Sequence, residues 1–294
     1  MVRVLSLILT ALPILIAWLL SANWGPGTHI RLAERLIAED SDQIPSDLRS
    51  LIKTHQDHFL YGNIAADIIH YKNYGGLKNH CHNWNIRERL LSHAHTDAEH
   101  AFILGYLCHL AADVIAHHHF VPFHIVYGLP PRLLGHVYWE ARLDGRVAEH
   151  HWDRIDLLRV NKSIQQNDEL ILKAVPKRAF SHVTNKLIFN HVLLARSRRS
   201  WRAIIDQMGS REPRGVLQDK FIQDCDDACR KSLIATFQED SLQALRELDP
   251  NGHLQLSDCR LLRQELIEDY GSRTAAVEAS RQAASLKFGL NDSV

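Results

Sequence analysis

Two pairs of residues near the middle of this chain have the types and spacing for metal chemistry. His109 and Asp113 stand four apart in the apolar run from Ala101 to Ile115, and His136 and Glu140 repeat that spacing further on. On a helix this interval puts an imidazole and a carboxylate on one face, a turn from each other. Either pair alone reads more readily as a hydrogen-bonded pair in a core than as metal ligands. A carboxylate buried in apolar surroundings nevertheless needs compensation, and two such pairs call for a positive charge between them. The distribution of histidine adds weight. Of 20 His, 17 lie between His29 and His151, whereas an even spread would put about eight there. Imidazole and carboxylate donors together suit zinc best among the common metals.

Other residues of this kind surround the central run. Asp67 is embedded in Phe59–Ile69, among Ile64, Ala65, Ala66, Ile68 and Ile69, where a solvated carboxylate is out of place. His80 and His82 bracket Cys81, and spacing does not choose between them. His29 follows Thr28, a reasonable helix N-cap, and would sit exposed at a helix start unless something holds it. In the triplet His117-His118-His119 a regular helix puts His117 on the His109/Asp113 face, while Pro122 biases the backbone to turn near His119. His93, His95 and His100 lie in a polar interval and read as solvated.

These residues must be positioned by helices. Ala101–Ile115 reads as a buried helix that Pro122, and then Pro130-Pro131, terminate. Ile30–Glu39, Pro45–Thr54 and Ile86–Leu91 read as further helices. Beyond Glu140 come the amphipathic, charge-laced patterns Arg154–Ala174, Pro176–Met208, Lys220–Glu239, Ser241–Leu248 and Ser257–Lys287. Asp249-Pro250-Asn251-Gly252 reads as a turn rather than a calcium loop, because later acidic ligands are missing. No strand alternation, glycine-rich phosphate loop, nucleophile elbow or internal repeat is present. The expected fold is all-α, a single multi-helix domain over residues 24–288, followed by a flexible tail at 289–294.

Composition narrows the function classes. Lys plus Arg equals Asp plus Glu, at 34 each, so there is no basic footprint for a nucleic-acid backbone. Five Cys, an odd number with no CxxC pair, argue against a disulfide framework, and Cys225 and Cys229 read as packed thiols. Residues 1–23 carry a nearly all-apolar run, Val4–Leu20, after Arg3. It reads as a signal peptide for export to a periplasm or the medium, with a membrane anchor through residues 4–20 as the alternative.

Taken as an ordered set, these residues resemble the zinc-dependent phospholipase C family and the related extracellular single-strand nucleases. The resemblance covers about Trp24–Asp144. It implies an all-α fold and up to three zinc ions. Asp67, His82, His109 and Asp113 would surround one zinc. His119, His136 and Glu140 would surround a second, and Trp24, His29 and a shared Asp113 the third. It therefore selects His82 over His80, and His119 against the helical-face argument for His117. Trp24 would act through a free amine, which requires cleavage after Asn23. Asp67 would orient or deprotonate the attacking water. Ile68 follows Asp67 where phosphatidylcholine-cleaving relatives carry an aromatic residue, so a choline preference is not implied. The expected activity is zinc-dependent phosphoester hydrolysis, phospholipase C-like, on a phospholipid or other phosphoester at a membrane surface. The alternatives are a single-strand nuclease or nucleotidase of the same family, for which nucleic acid is the less favoured partner, and a non-catalytic helical zinc-binding protein.

Overall fold

The computed structural model describes residues 25–68, 81–128, 135–175, 181, 183–185 and 217–290, with only the backbone described at 135–137 and 273. The leader, Trp24, His80 and almost all of Pro176–Met208 lie outside these residues. Among the described residues all regular structure is helical, as expected.

The organising element is α5, Asp97–Ile115, which continues through a π-helical turn, Ala116–Phe120, into α6, Val121–Gly128. Its start is fixed locally. Thr96 caps the helix by accepting from the Glu99 amide at 3.2 Å, and Glu99 Oε2 accepts from the Thr96 amide at 2.9 Å. This reciprocal pair satisfies donors that a helix N-terminus leaves open. From Ala101 to Ile115 every residue but Leu104 is buried, so α5 is apolar on nearly all sides and crosses the centre of the molecule. The stretch Asp97–Gly128 is long and apolar enough to cross a bilayer, but 89 % of its apolar window is buried inside the fold. Here it serves as a core helix.

Pro122 does not terminate this helix. The π turn widens the ladder, and Val121 donates to the Ala116 carbonyl, five residues back. A proline immediately after such a turn is relieved of the clash it would make in a regular helix, so the chain runs on to Gly128.

Around this axis pack α1 (Pro26–Glu39), α2 (Ser46–Thr54), α3 (Gln56–Ala65), α4 (Ile86–Leu91), α7 (Gly135–Asp144) and α8 (Glu149–Val160). The short α9 (Lys162–Gln165) and α10 (Asn167–Ala174) follow, and α11 (Asp219–Ala235), α12 (Glu239–Arg246), α13 (His253–Tyr270) and α14 (Arg273–Phe288) complete the core. The pattern Ser257–Lys287 is thus two helices rather than one, divided at Gly271, whose φ of 71° suits glycine. The closest crossing joins α3 to α5. A Cβ on Gly62 would lie 2.2 Å from the Phe102 carbonyl oxygen, and one on Gly105 1.9 Å from that of Phe59, so only glycine fits on either side.

The later helices lock onto the first. Arg31 of α1 forms a two-point pair with Asp226 of α11, at 2.5 and 2.7 Å. Asp40 pairs in the same way with Arg230. Such fork-shaped pairs fix orientation as well as distance. All five Cys are buried free thiols, as their spacing suggests.

Candidate metal centre

Helix α1 begins at Pro26, four residues before the expected start at Ile30, and Thr28 is not its cap. The capping acceptor comes from α7. The Asp144 carboxylate accepts from the Thr28 amide at 2.7 Å, the Thr28 hydroxyl at 2.9 Å and the Gly27 amide at 3.4 Å. This anchor seats the start of α1 in the interior, so His29 is buried at 1 % exposure rather than exposed. Its ring stacks on that of His109, with centroids 4.0 Å apart.

Helix α5 supplies His109 and Asp113 from one face, both with 0 % exposure. The α3–α5 crossing orients His109, since its Nδ1 donates to the Asn63 carbonyl of α3 at 2.8 Å and leaves Nε2 to face Asp113. Just past α3, the 3-10 turn Ala66–Ile68 carries Asp67. His82 comes from the segment before α4, with its Nδ1 beside the Cys81 sulfur at 3.3 Å.

Three imidazole nitrogens converge on Asp113. His29 Nε2 is 3.4 Å from Oδ1, while His82 and His109 Nε2 are each 3.3 Å from Oδ2. His82 Nε2 also lies 3.3 Å from Asp67 Oδ1 and 2.9 Å from His109 Nε2. Neither Asp113 oxygen makes a hydrogen bond, although both are fully buried. Ligands on a tetrahedral zinc, with bonds of about 2.0–2.1 Å, stand about 3.3–3.4 Å apart. The distances of the imidazole nitrogens to Asp113 match the spacing of ligands around a shared cation, while the 2.9 Å His82–His109 contact is a hydrogen-bond distance. Groups of donor atoms from His29, Asp67 and His109, and from His82, His109 and Asp113, lie within 4.8 Å of one another.

The electrostatics agree. Burial, reinforced by the charge of His109, lowers the His29 pKa to about 4, so its imidazole is neutral at pH 7 and able to act as a ligand. Burial alone would raise the Asp113 carboxyl, but His109, His29 and His82 outweigh it and hold the group ionised, well below the usual carboxylate range.

A second cluster lies one helical turn along α5. His117 Nε2 is 3.3 Å from Glu140 Oε1, and both residues are buried. Burial pushes the Glu140 carboxyl up to about 7, against the pull of His117. The structure thus places His117 beside Glu140, where the resemblance implied His119. The physical reason is that α5 stays regular through Ile115, which keeps His117 on the Asp113 face. The π turn then directs His119 elsewhere, with its Nδ1 3.2 Å from the Phe288 carbonyl. His136 lies on α7, one turn before Glu140, but its side chain is outside the described residues, as is all of Trp24.

One contribution was invisible in the sequence. The turn Asp249–Gly252, far along the chain, closes over both clusters. His117 Nδ1 donates to the Pro250 carbonyl at 2.5 Å, which leaves Nε2 facing Glu140. Asn251 Nδ2 donates to the His82 carbonyl at 2.8 Å. Gly252 has φ 56°, and a Cβ there would stand 2.5 Å from the His117 carbonyl oxygen. The glycine signals a turn, but nothing in its neighbours says what the turn touches.

An all-helical fold among the described residues thus surrounds a buried cluster of His and carboxylate donors that could hold a metal. The sequence model of the zinc dependent phospholipase C family matches residues 28–198, more than half of the chain, and the chain belongs to that family. No curated protein and no solved structure matches it.

Proposed function

We propose that this protein is a zinc-dependent phosphoesterase, phospholipase C-like, that hydrolyses a phosphodiester of a phospholipid. The observation that carries this reading is the convergence of three histidine nitrogens on a buried Asp113 whose two oxygens lack hydrogen bonds. Asp67, His82, His109, Asp113 and His29 would hold metal at the first cluster. His117 and Glu140, with His136 from α7, would hold it at the second, and His117 replaces His119 in this assignment. Bound zinc supplies Lewis acidity, neutralising phosphoryl oxygens and making water more acidic.

The chain's own residues supply the rest. Asn63 and Pro250 accept the Nδ1 protons of His109 and His117, which fixes both tautomers and presents both Nε2 atoms to the centre. Asp67, 7 % exposed where Asp113 is 0 %, would orient the attacking water and accept its proton as the oxygen reaches phosphorus. The proton balance then needs the alkoxide leaving group to take a proton from solvent or from a neighbouring acid. Residues 1–23 suit export, which would bring the enzyme to lipid outside the cytoplasm.

The test is zinc per chain, with hydrolysis of a chromogenic phosphodiester and of phospholipid vesicles, for wild type, Asp113→Asn and Asp67→Asn. Asp113→Asn should lose zinc and activity together. Asp67→Asn should lose at least about 100-fold in kcat while staying folded, the usual scale for a positioned acid or base. A wild-type chain that holds no zinc, or an Asp113→Asn variant that keeps its full complement, would refute the assignment.

A further inference from the structure

A separate group of donor atoms lies where α1 meets α8, outside the centre described above. Glu34 stands on α1 beyond His29, and His150 and His151 open α8. His151 Nδ1 is 2.5 Å from Glu34 Oε2, and the rings of His150 and His151 lie with centroids 3.9 Å apart. One donor atom from each of the three residues falls within 4.8 Å of the others. Unlike the buried centre, this group is open to solvent. His150 is exposed, while the side chains of His151 and Glu34 are largely covered at 13 % and 25 % exposure, so water can complete a coordination shell from the His150 side.

We propose that Glu34, His150 and His151 form a further, exchangeable site for a divalent transition metal. Two imidazoles and one carboxylate are the donor set of many open zinc sites, with solvent filling the remaining position. The competing cation, Arg154, does not occupy the site. Its guanidinium bonds Asp57 at 2.7 Å and forms a longer ion pair with Glu34 Oε1 at 3.8 Å, which leaves Oε2 turned toward His151. Metal entry displaces the proton held between His151 Nδ1 and Glu34 Oε2. The ion would pin α8 to α1, the helix that carries His29. Zinc at concentrations above those filling the buried centre would therefore stabilise the fold further by mass action.

The proposal is independent of the phosphoesterase reading and is tested separately. Full-length, zinc-replete protein is titrated with free zinc by equilibrium dialysis, alongside His150→Ala and Glu34→Gln. The wild type should bind one more, weaker zinc than either variant. Each variant should lower the affinity of that last ion at least about tenfold and abolish the accompanying rise in Tm, while its tightly bound zinc stays unchanged. His150→Ala removes an exposed ring and leaves the His151–Glu34 pair, so it should fold normally. Superimposable isotherms for all three proteins would overturn the proposal. Loss in Glu34→Gln alone, with His150→Ala unchanged, would also overturn it, because that pattern marks a disrupted ion pair.

Discussion

Replacing Gly105 with Ala separates two opposite expectations by the sign of one number. In an ordinary helix interior, Gly→Ala stabilises by about 0.8–1.0 kcal/mol, because glycine has more backbone entropy to lose. Here the added Cβ would lie 1.9 Å from the Phe59 carbonyl oxygen, and 3.1 Å from the Asn63 amide nitrogen. Reaching even the tightest contact that real Cβ atoms show, 3.0 Å, requires α3 and α5 to separate locally by roughly 1 Å. Overpacking of this kind costs about 1–3 kcal/mol. The gain in propensity offsets part of that, leaving a net loss of about 0–2 kcal/mol. The same displacement would stretch the 2.8 Å bond from His109 Nδ1 to the Asn63 carbonyl toward 3.8 Å, beyond hydrogen-bond range. His109 would lose its fixed orientation, and zinc affinity should fall about 10–100-fold, the usual effect of removing an outer support for a ligand. Urea unfolding of the chelator-treated protein, and zinc competition against a chromogenic chelator, measure the two effects. A variant that is stabilised by about 1 kcal/mol and binds zinc like wild type would refute the α3–α5 crossing as the support of His109.

Exchanging the two candidate histidines is equally direct: His117→Ala should lower zinc content and abolish activity, and His119→Ala should keep both near wild type. The opposite result in metal analysis would restore His119 as the ligand. Asn251→Ala removes a hydrogen bond worth about 1 kcal/mol and should speed zinc loss to a chelator, with little change in the far-ultraviolet spectrum. Gly252→Ala should be worse, because its Cβ meets the His117 backbone and its φ is positive. An unchanged zinc off-rate in both would show that the turn does not support the centre. Asp144 gives a pH signature. Burial raises its pKa from 3.8 to about 6 in the fold, against the donors from Thr28 and Gly27, so the native state binds the proton more tightly than the unfolded chain. Its contribution to stability is full below about pH 4 and declines as pH rises to about 6, by roughly 3 kcal/mol for a shift of this size. Relative to Asp144→Asn, the zinc-free wild type should therefore lose stability across that window. A difference that stays flat from pH 4 to 7 would contradict the buried geometry of this carboxylate.

Much of the fold was legible because it rests on local rules. The continuous apolar run of α5 is a short-range signal, and burial follows from it, whereas the Thr96/Glu99 capping box that starts the helix four residues earlier became visible only in the structure. His109 and Asp113 share a helix face because four residues make one turn, and the same arithmetic carries His117 to that face. Where tertiary structure decided, the deciding contact was remote. Thr28 has the side chain of a cap, yet the acceptor that seats α1 is Asp144, more than a hundred residues away. His29, on sequence an exposed residue at a helix start, is drawn into the core by that anchor. Pro122 breaks a regular helix but not one that has just passed through a π turn. His119 obeys a spacing rule carried over from relatives, whereas the backbone geometry of this chain turns its ring toward Phe288. The residue types able to bind a metal are thus a property of the sequence, since donor chemistry belongs to each side chain. Which donors meet is set by the helix crossings and by the Asp249–Gly252 turn, because a hydrogen bond reaches only about 3 Å and the sequence carries no record of contacts across such separations.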